Sequence, residues 1–190
     1  MKRYYLALAL LIYSLMYSYS QDNSHTRDET KNTRKNLIKL NYLVLPAKAV
    51  NLSYERVLGN YLSFQFQGYY VFGTFGYFDV SYSNWYGITP EIRVYITGKA
   101  PKGLFVAPYY NFHQNYQRIS RDYPPMRYRY NLNAAGLCAG YQWKLGGHFT
   151  IDLYGGGGIQ HWATNRPTDL GSVSGTERIL RFGSTFGFRF

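Results

Sequence analysis

From Leu37 to the C-terminus, apolar and polar residues alternate with a period of two. The run Leu62-Ser63-Phe64-Gln65-Phe66-Gln67 shows it most plainly, and Asn51-Leu52-Ser53-Tyr54-Glu55 and Phe149-Thr150-Ile151-Asp152-Leu153 repeat it. Successive side chains of a strand point to opposite faces, so this period predicts strands with one apolar and one polar face. The 22 residues from Val57 to Phe78 are uncharged. They nevertheless alternate, and they contain Asn60, Ser63, Gln65, Gln67 and four glycines, which argues against a membrane helix. Turn signals divide the chain into eight strands, at roughly 37–45, 48–57, 61–73, 82–97, 103–119, 127–145, 148–163 and 178–190.

The connections alternate in character. Gly59-Asn60, Gly98 to Lys102 and Gly146-Gly147 are tight, whereas Thr74 to Ser81, Ser120 to Met126 and Thr164 to Glu177 are longer. Only the first connection, around Pro46-Ala47, departs from this by being short. Tight turns at one end and long loops at the other predict an all-β, eight-stranded antiparallel up-and-down transmembrane β-barrel, with the tight turns in the periplasm. A strand of about 16 residues at about 3.3 Å each, tilted by roughly 40°, rises near 40 Å. An outer-membrane apolar band is only about 25 Å tall, so the pair 103–119 and 127–145 should project as a hairpin.

A soluble eight-stranded barrel alternates too, so the chemistry of the polar face has to decide. Glu55, Glu91 and Asp152 all fall opposite the large apolar residues, and Arg93 and Arg181 share their parity. The rest of that face is small or neutral, as at Asn51, Ser53, Ser63, Gly87, Thr89, Gly156 and Gly158. A water-facing exterior would carry many more Lys and Glu, whereas a cramped lumen needs small residues and a few paired charges. Glu55, Glu91, Arg93, Asp152 and Arg181 are therefore expected to form a lumen charge network. Leu62, Phe64, Phe66, Ile92, Val94 and Phe186 are expected to face lipid.

The N-terminus follows other rules. Lys2 and Arg3 precede an apolar stretch from Tyr4 to Tyr17, and Ser18-Tyr19-Ser20 then offers small residues for signal peptidase. Residues 1–20 are read as a signal peptide, 21–36 as a mobile N-terminal arm with no large apolar residue, and 37–190 as the barrel. Removing Lys2 and Arg3 lowers the formal charge from +11 to +9. Charged residues make up only 16% of the chain and aromatics 19%, which excludes a disordered protein. The single cysteine, Cys138, permits no intrachain disulfide, and the absence of a Cys/His cluster excludes a structural zinc site. No cofactor and no nucleic-acid partner are expected.

Two longer segments carry a resemblance. They are Val50-Asn51-Leu52-Ser53-Tyr54-Glu55-Arg56 followed by Ile88-Thr89-Pro90-Glu91-Ile92-Arg93-Val94-Tyr95, and Gly98-Lys99-Ala100-Pro101-Lys102-Gly103-Leu104-Phe105-Val106-Ala107-Pro108-Tyr109. The chain resembles a domain-of-unknown-function family of small OmpA-like outer-membrane barrels from Bacteroidota, most strongly over residues 37 to 113. The resemblance implies an outer-membrane location and, for some similar proteins, an association with surface fimbriae. It supplies no catalytic residue. The ending Phe186-Gly187-Phe188-Arg189-Phe190 looks like the assembly signal read by the barrel-insertion machinery, with Phe190 carrying most of the likeness.

Candidate chemistry is sparse. A lipid A-modifying enzyme would need a His beside a nucleophilic Ser and a carboxylate, and neither His113 nor His161 has a same-face Ser at the adjacent position. The run Gly155 to Gly158 lacks the Lys-Ser/Thr of a phosphate loop and is expected to let the sheet bend or an aromatic lie over it. Arg118, Arg121, Arg127 and Arg129 form an outer basic loop, opposed only by Asp122 and interleaved with Tyr116, Tyr123, Tyr128 and Tyr130. It is read either as solvated charge or as a contact for lipid A phosphates or an acidic partner. The expected function is a non-enzymatic outer-membrane component at the cell surface. Its expected partners are outer-membrane lipid and lipopolysaccharide, the insertion machinery during assembly, and a surface protein. The alternatives are a lipid A-modifying enzyme and a narrow solute channel.

Overall fold

A computed structural model describes residues 34–72, 80–119, 126–165 and 173–190. Eight antiparallel strands form a closed barrel in sequence order. They are β1 (Asn36–Asn41), β2 (Ala49–Val57), β3 (Leu62–Val71), β4 (Val80–Tyr95), β5 (Gly103–Ile119), β6 (Met126–Leu145), β7 (Phe149–Asn165) and β8 (Val173–Arg189). The last strand returns to the first, with Leu37 opposite Arg189 and Asn41 opposite Thr185. Followed once round the barrel from Leu37, the register reaches β8 at Ile179 instead, an offset of ten residues (179 to 189). That stagger is what lets tilted strands close on themselves.

The wall has unequal height. Strands β1 to β3 have 6, 9 and 10 residues, whereas β4 to β8 have 16 to 20. The β5–β6 hairpin pairs from Gly103 opposite Gln142 up to Ile119 opposite Met126. At the other end the turns are tight. In the β4–β5 turn Gly103 has φ +117°, and a Cβ there would fall 1.5 Å from the Thr97 carbonyl oxygen, so only glycine fits.

Two strand limits differ from the sequence expectation by more than two residues. The first strand ends at Asn41, and Tyr42–Ala47 is a 3-10 segment rather than its continuation. The Asn41 side chain accepts a hydrogen bond from the Leu43 N–H, and Lys48 closes the segment in the left-handed region at φ +53°, donating to the Leu45 carbonyl. Leu43 and Leu45 are exposed, so the apolar run that reads as strand is met by a different backbone with the same outward apolar surface. The last strand begins at Val173, five residues before 178. The expected signal peptide, most of the expected arm and the tips of three connections lie outside the described residues.

Alternation sorts the side chains as their period requires. Outward positions are large and apolar: Phe64, Phe66, Ile92, Val94 and Phe186 are exposed and Leu62 is half-buried. This belt has a defined upper margin. On four strands the outward residues there change from Tyr86, Phe112, Ile159 and Leu180 to the polar Asn84, Gln114, His161 and Arg178. Near the tight-turn end aromatics collect: Tyr141 lies 4.7 Å from Trp143 between ring centroids, and Phe149 lies 5.4 Å from Phe186 and 5.6 Å from Phe188.

Inside, aromatics lie over glycines of neighbouring strands. A Cβ on Gly87 would meet the Tyr69 hydroxyl at 2.5 Å, one on Gly140 the Phe105 ring at 2.7 Å, and one on Gly183 the Tyr154 hydroxyl at 2.5 Å. The Tyr109 hydroxyl reaches across both Gly136 and Gly158, within 2.7 and 2.9 Å of where their Cβ atoms would stand. Gly158 thus has an aromatic over it, as expected for a glycine run in a barrel strand, whereas a Cβ on Gly156 would meet the Leu137 carbonyl oxygen at 2.2 Å.

Candidate functional site

The lumen charges expected from the sequence come together. Glu55, Glu91, Arg93 and Asp152 are buried, and the Arg181 side chain is 13% exposed at the top of the group. Arg93 on β4 is the hub. Its Nε donates to Glu91 Oε1 at 2.5 Å and its NH1 donates to Asp152 Oδ2 at 2.7 Å and Gln142 Oε1 at 3.0 Å. Its guanidinium stands 4.3 Å from the Phe105 ring centroid. Arg181 on β8 donates to Glu91 Oε2 and to Gln67 Oε1, both at 2.7 Å, and lies between the Tyr109 and Tyr154 rings at 4.6 and 5.0 Å.

A sixth charge, absent from the sequence expectation, completes the group. Lys39 on β1 is buried, with Nζ 2.5 Å from Glu55 Oε2 and 2.8 Å from Asp152 Oδ2. Its parity with Leu37 and Asn41 was the available signal. Three cations now face three carboxylates, so the group is neutral as a set. Neutral side chains complete it: Tyr95 donates to Glu55 Oε1 at 2.8 Å, Ser63 also donates to Glu55, and the Thr185 hydroxyl donates to Asp152 Oδ1 at 2.6 Å.

The contacts run across the lumen as well as around it. Arg93 to Asp152 joins β4 to β7, and Arg181 to Glu91 joins β8 to β4. Side chains from opposite walls therefore meet in the middle, as the small bore of eight strands requires. Unpaired charge in such a place costs several kcal/mol, and mutual neutralisation offsets much of it. Chemically the arrangement holds a barrel shut.

The histidines sit apart from this network. His113 is buried on β5, with ring centroids 5.9 Å from Tyr69 and 5.5 Å from Trp85. His161 is exposed, its Nδ1 3.3 Å from Thr176 Oγ1. Of the outer basic loop, Arg129 is exposed on β6 and opposite Tyr116 in register. Arg118 and Arg127 are opposite one another in register, but their side chains lie outside the described residues, as does Arg121 altogether. Phe186, Phe188 and Phe190 are exposed on one face, and Phe190 closes the seam by exchanging backbone hydrogen bonds with Asn36 at 2.9 and 3.1 Å.

Residues 8–170 match the family model described as protein of unknown function (DUF3575). The chain belongs to the DUF3575 family. For this chain the family's fold is the closed eight-stranded barrel described above. No curated protein and no solved structure matches it.

Proposed function

We propose that this DUF3575 protein is an outer-membrane barrel, closed by its own side chains, that serves as a structural or accessory component at the cell surface. One observation carries the reading: the barrel is apolar outside and polar inside. A soluble barrel buries its apolar face, whereas here Phe64, Phe66, Leu137, Leu153, Leu180 and Phe182 are exposed and Lys39, Glu55, Glu91, Arg93 and Asp152 are buried. A bilayer removes the cost of the exposed apolar belt, and a closed barrel leaves few backbone groups unpaired in lipid.

On this reading the tight turns lie in the periplasm and the β5–β6 hairpin stands outside the cell. The signal peptide of residues 1–20 directs export. The insertion machinery reads the terminal aromatics, and the projecting wall meets lipopolysaccharide and a surface protein partner. The resemblance to small OmpA-like barrels of Bacteroidota agrees with this role, and no catalytic step is assigned to any residue. The competing solute-channel reading is tested by planar-bilayer recording. The account expects insertion without conductance steps, because Arg93 and Arg181 bridge the lumen to opposite walls. Regular ohmic steps from the wild-type protein would overturn it.

A further inference from the structure

The outer face of the high wall carries a cleft of about 250 Å³ whose lining includes Tyr70, Asn84, Tyr86, Gln114, Tyr116 and Arg129. The register explains why these six residues meet. Tyr70 on β3, Tyr86 on β4 and Gln114 on β5 are successive cross-strand neighbours in one row. Asn84, Tyr116 and Arg129 form the next row up, on β4, β5 and β6. Neighbouring strands lie about 4.8 Å apart, and same-face residues two apart on a strand are separated by about 6.6 Å. The patch therefore has the scale of a sugar ring with its substituents.

Its position is as informative as its composition. The lower row lies at the upper margin of the apolar belt, where the outward Tyr86 on β4 gives way to the polar Asn84. Tyrosine at that level places an apolar ring beside lipid and a hydroxyl beside water. The Tyr86 hydroxyl donates to the Gln114 side-chain oxygen, a bond that does not use the Gln114 amide N–H donors. Arg129 is exposed, and no ion pair or hydrogen bond to its guanidinium is seen among the described residues. One step further up, Arg118 and Arg127 are opposite one another in register.

The geometry points to a binding site in this cleft for the phosphorylated sugar headgroup of an outer-leaflet glycolipid. The inference rests on the membrane reading, which sets the height of the cleft at the headgroup level. Tyr rings offer flat apolar faces to the C–H side of a pyranose, and the Gln114 amide hydrogen-bonds its hydroxyls. Arg129 grips two oxygens of a phosphate, for which a planar guanidinium is suited and a lysine is not. The cleft is smaller than the roughly 300–1,000 Å³ that enclose a drug-sized ligand, so it takes one ring and its phosphate while the acyl chains stay along the belt.

The test uses the full-length barrel reconstituted in phosphatidylcholine vesicles and titrated with lipopolysaccharide, with dephosphorylated lipopolysaccharide and with phosphatidylglycerol. Intact lipopolysaccharide is expected to bind saturably. Arg129→Gln and Tyr116→Ala should each weaken it by about tenfold or more, the scale of one charge-assisted hydrogen bond. Arg178→Gln, which removes an outward arginine above the belt on β8, should leave binding unchanged. Heat-modifiable mobility reports folding of every variant, and the exposed Arg129→Gln carries the test should Tyr116→Ala fold poorly. Equal binding by the wild type and Arg129→Gln would overturn the site. So would equal affinity for the dephosphorylated lipid, or for phosphatidylglycerol, which would indicate general surface charge. Absence of the wild-type protein from the outer membrane of cells would instead refute the membrane reading itself.

Discussion

Lys39 and Arg93, from opposite walls of the barrel, hold the same oxygen of Asp152: Lys39 Nζ lies 2.8 Å and Arg93 NH1 2.7 Å from Oδ2. Asp152 thus contacts two buried cations at once, which Glu55 and Glu91 help to balance, while Thr185 occupies its other oxygen. Breaking a buried pair by removing one partner costs about 3–5 kcal/mol, because the remaining charge is stranded. Asp152→Asn is expected to destabilise the barrel by about that amount in urea unfolding from vesicles. Adding Lys39→Met to Asp152→Asn should recover part of the loss, since it returns the group to balance, with Arg93 and Arg181 facing Glu55 and Glu91. A double variant that is additive or worse would mean the shared oxygen is not what matters.

The facing of the strands makes a sharper forecast from two adjacent residues. Phe64 is 38% exposed on the apolar belt and Gln65 is fully buried in the lumen. Phe64→Arg should cost about 2–4 kcal/mol at mid-membrane depth, and Gln65→Asn far less. Equal loss of heat-modifiable barrel from the two variants would contradict the assignment.

Much of this was legible in the sequence because a period of two carries the facing of every side chain. The parity of Glu55, Glu91, Arg93, Asp152 and Arg181 placed five charges in one lumen without any knowledge of which touch. Lys39 escaped because it stands in an apolar strand and its partner Asp152 is 113 residues away, brought near only by closure of the barrel. The end of β1 departs from the expected strand for a different reason. Tyr42-Leu43-Val44-Leu45 is apolar throughout, and a 3-10 segment and a strand that both expose Leu43 and Leu45 require the same residue types. The outer cleft was half visible, since Tyr116 and Arg129 stood out in the hairpin. Tyr70 joins them only through the register of β3 and β4, and Asn84 through that of β4 and β5.

The glycine packing separates two positions of the same strand system. A Cβ on Gly136 would stand 2.3 Å from the Gly157 carbonyl oxygen and 2.7 Å from the Tyr109 hydroxyl, whereas one on Gly155 meets nothing within 4 Å. Gly136→Ala should therefore cost about 1–3 kcal/mol through overpacking. Gly155→Ala should stay within about 0.5 kcal/mol of wild type. Denaturant midpoints of the two variants in one lipid system check the contrast, and equal midpoints would refute it.

Phe190 supplies the seam's last backbone pair and the final exposed aromatic. Its deletion, or Phe190→Asp, is expected to leave export intact while lowering the amount of folded protein in the outer membrane. Accumulation of the variant in the periplasm would agree. Normal outer-membrane levels would show that the terminal aromatic is dispensable for assembly.

The central claim is that this barrel lives in a membrane with its apolar belt in lipid. The most direct measurement is the location of the untagged wild-type protein in fractionated cells, with extraction at alkaline pH and electrophoresis before and after heating. The account predicts recovery in the outer membrane, resistance to alkaline extraction and a mobility shift on heating. Release with the soluble periplasmic contents, or extraction at high pH without detergent, would contradict it.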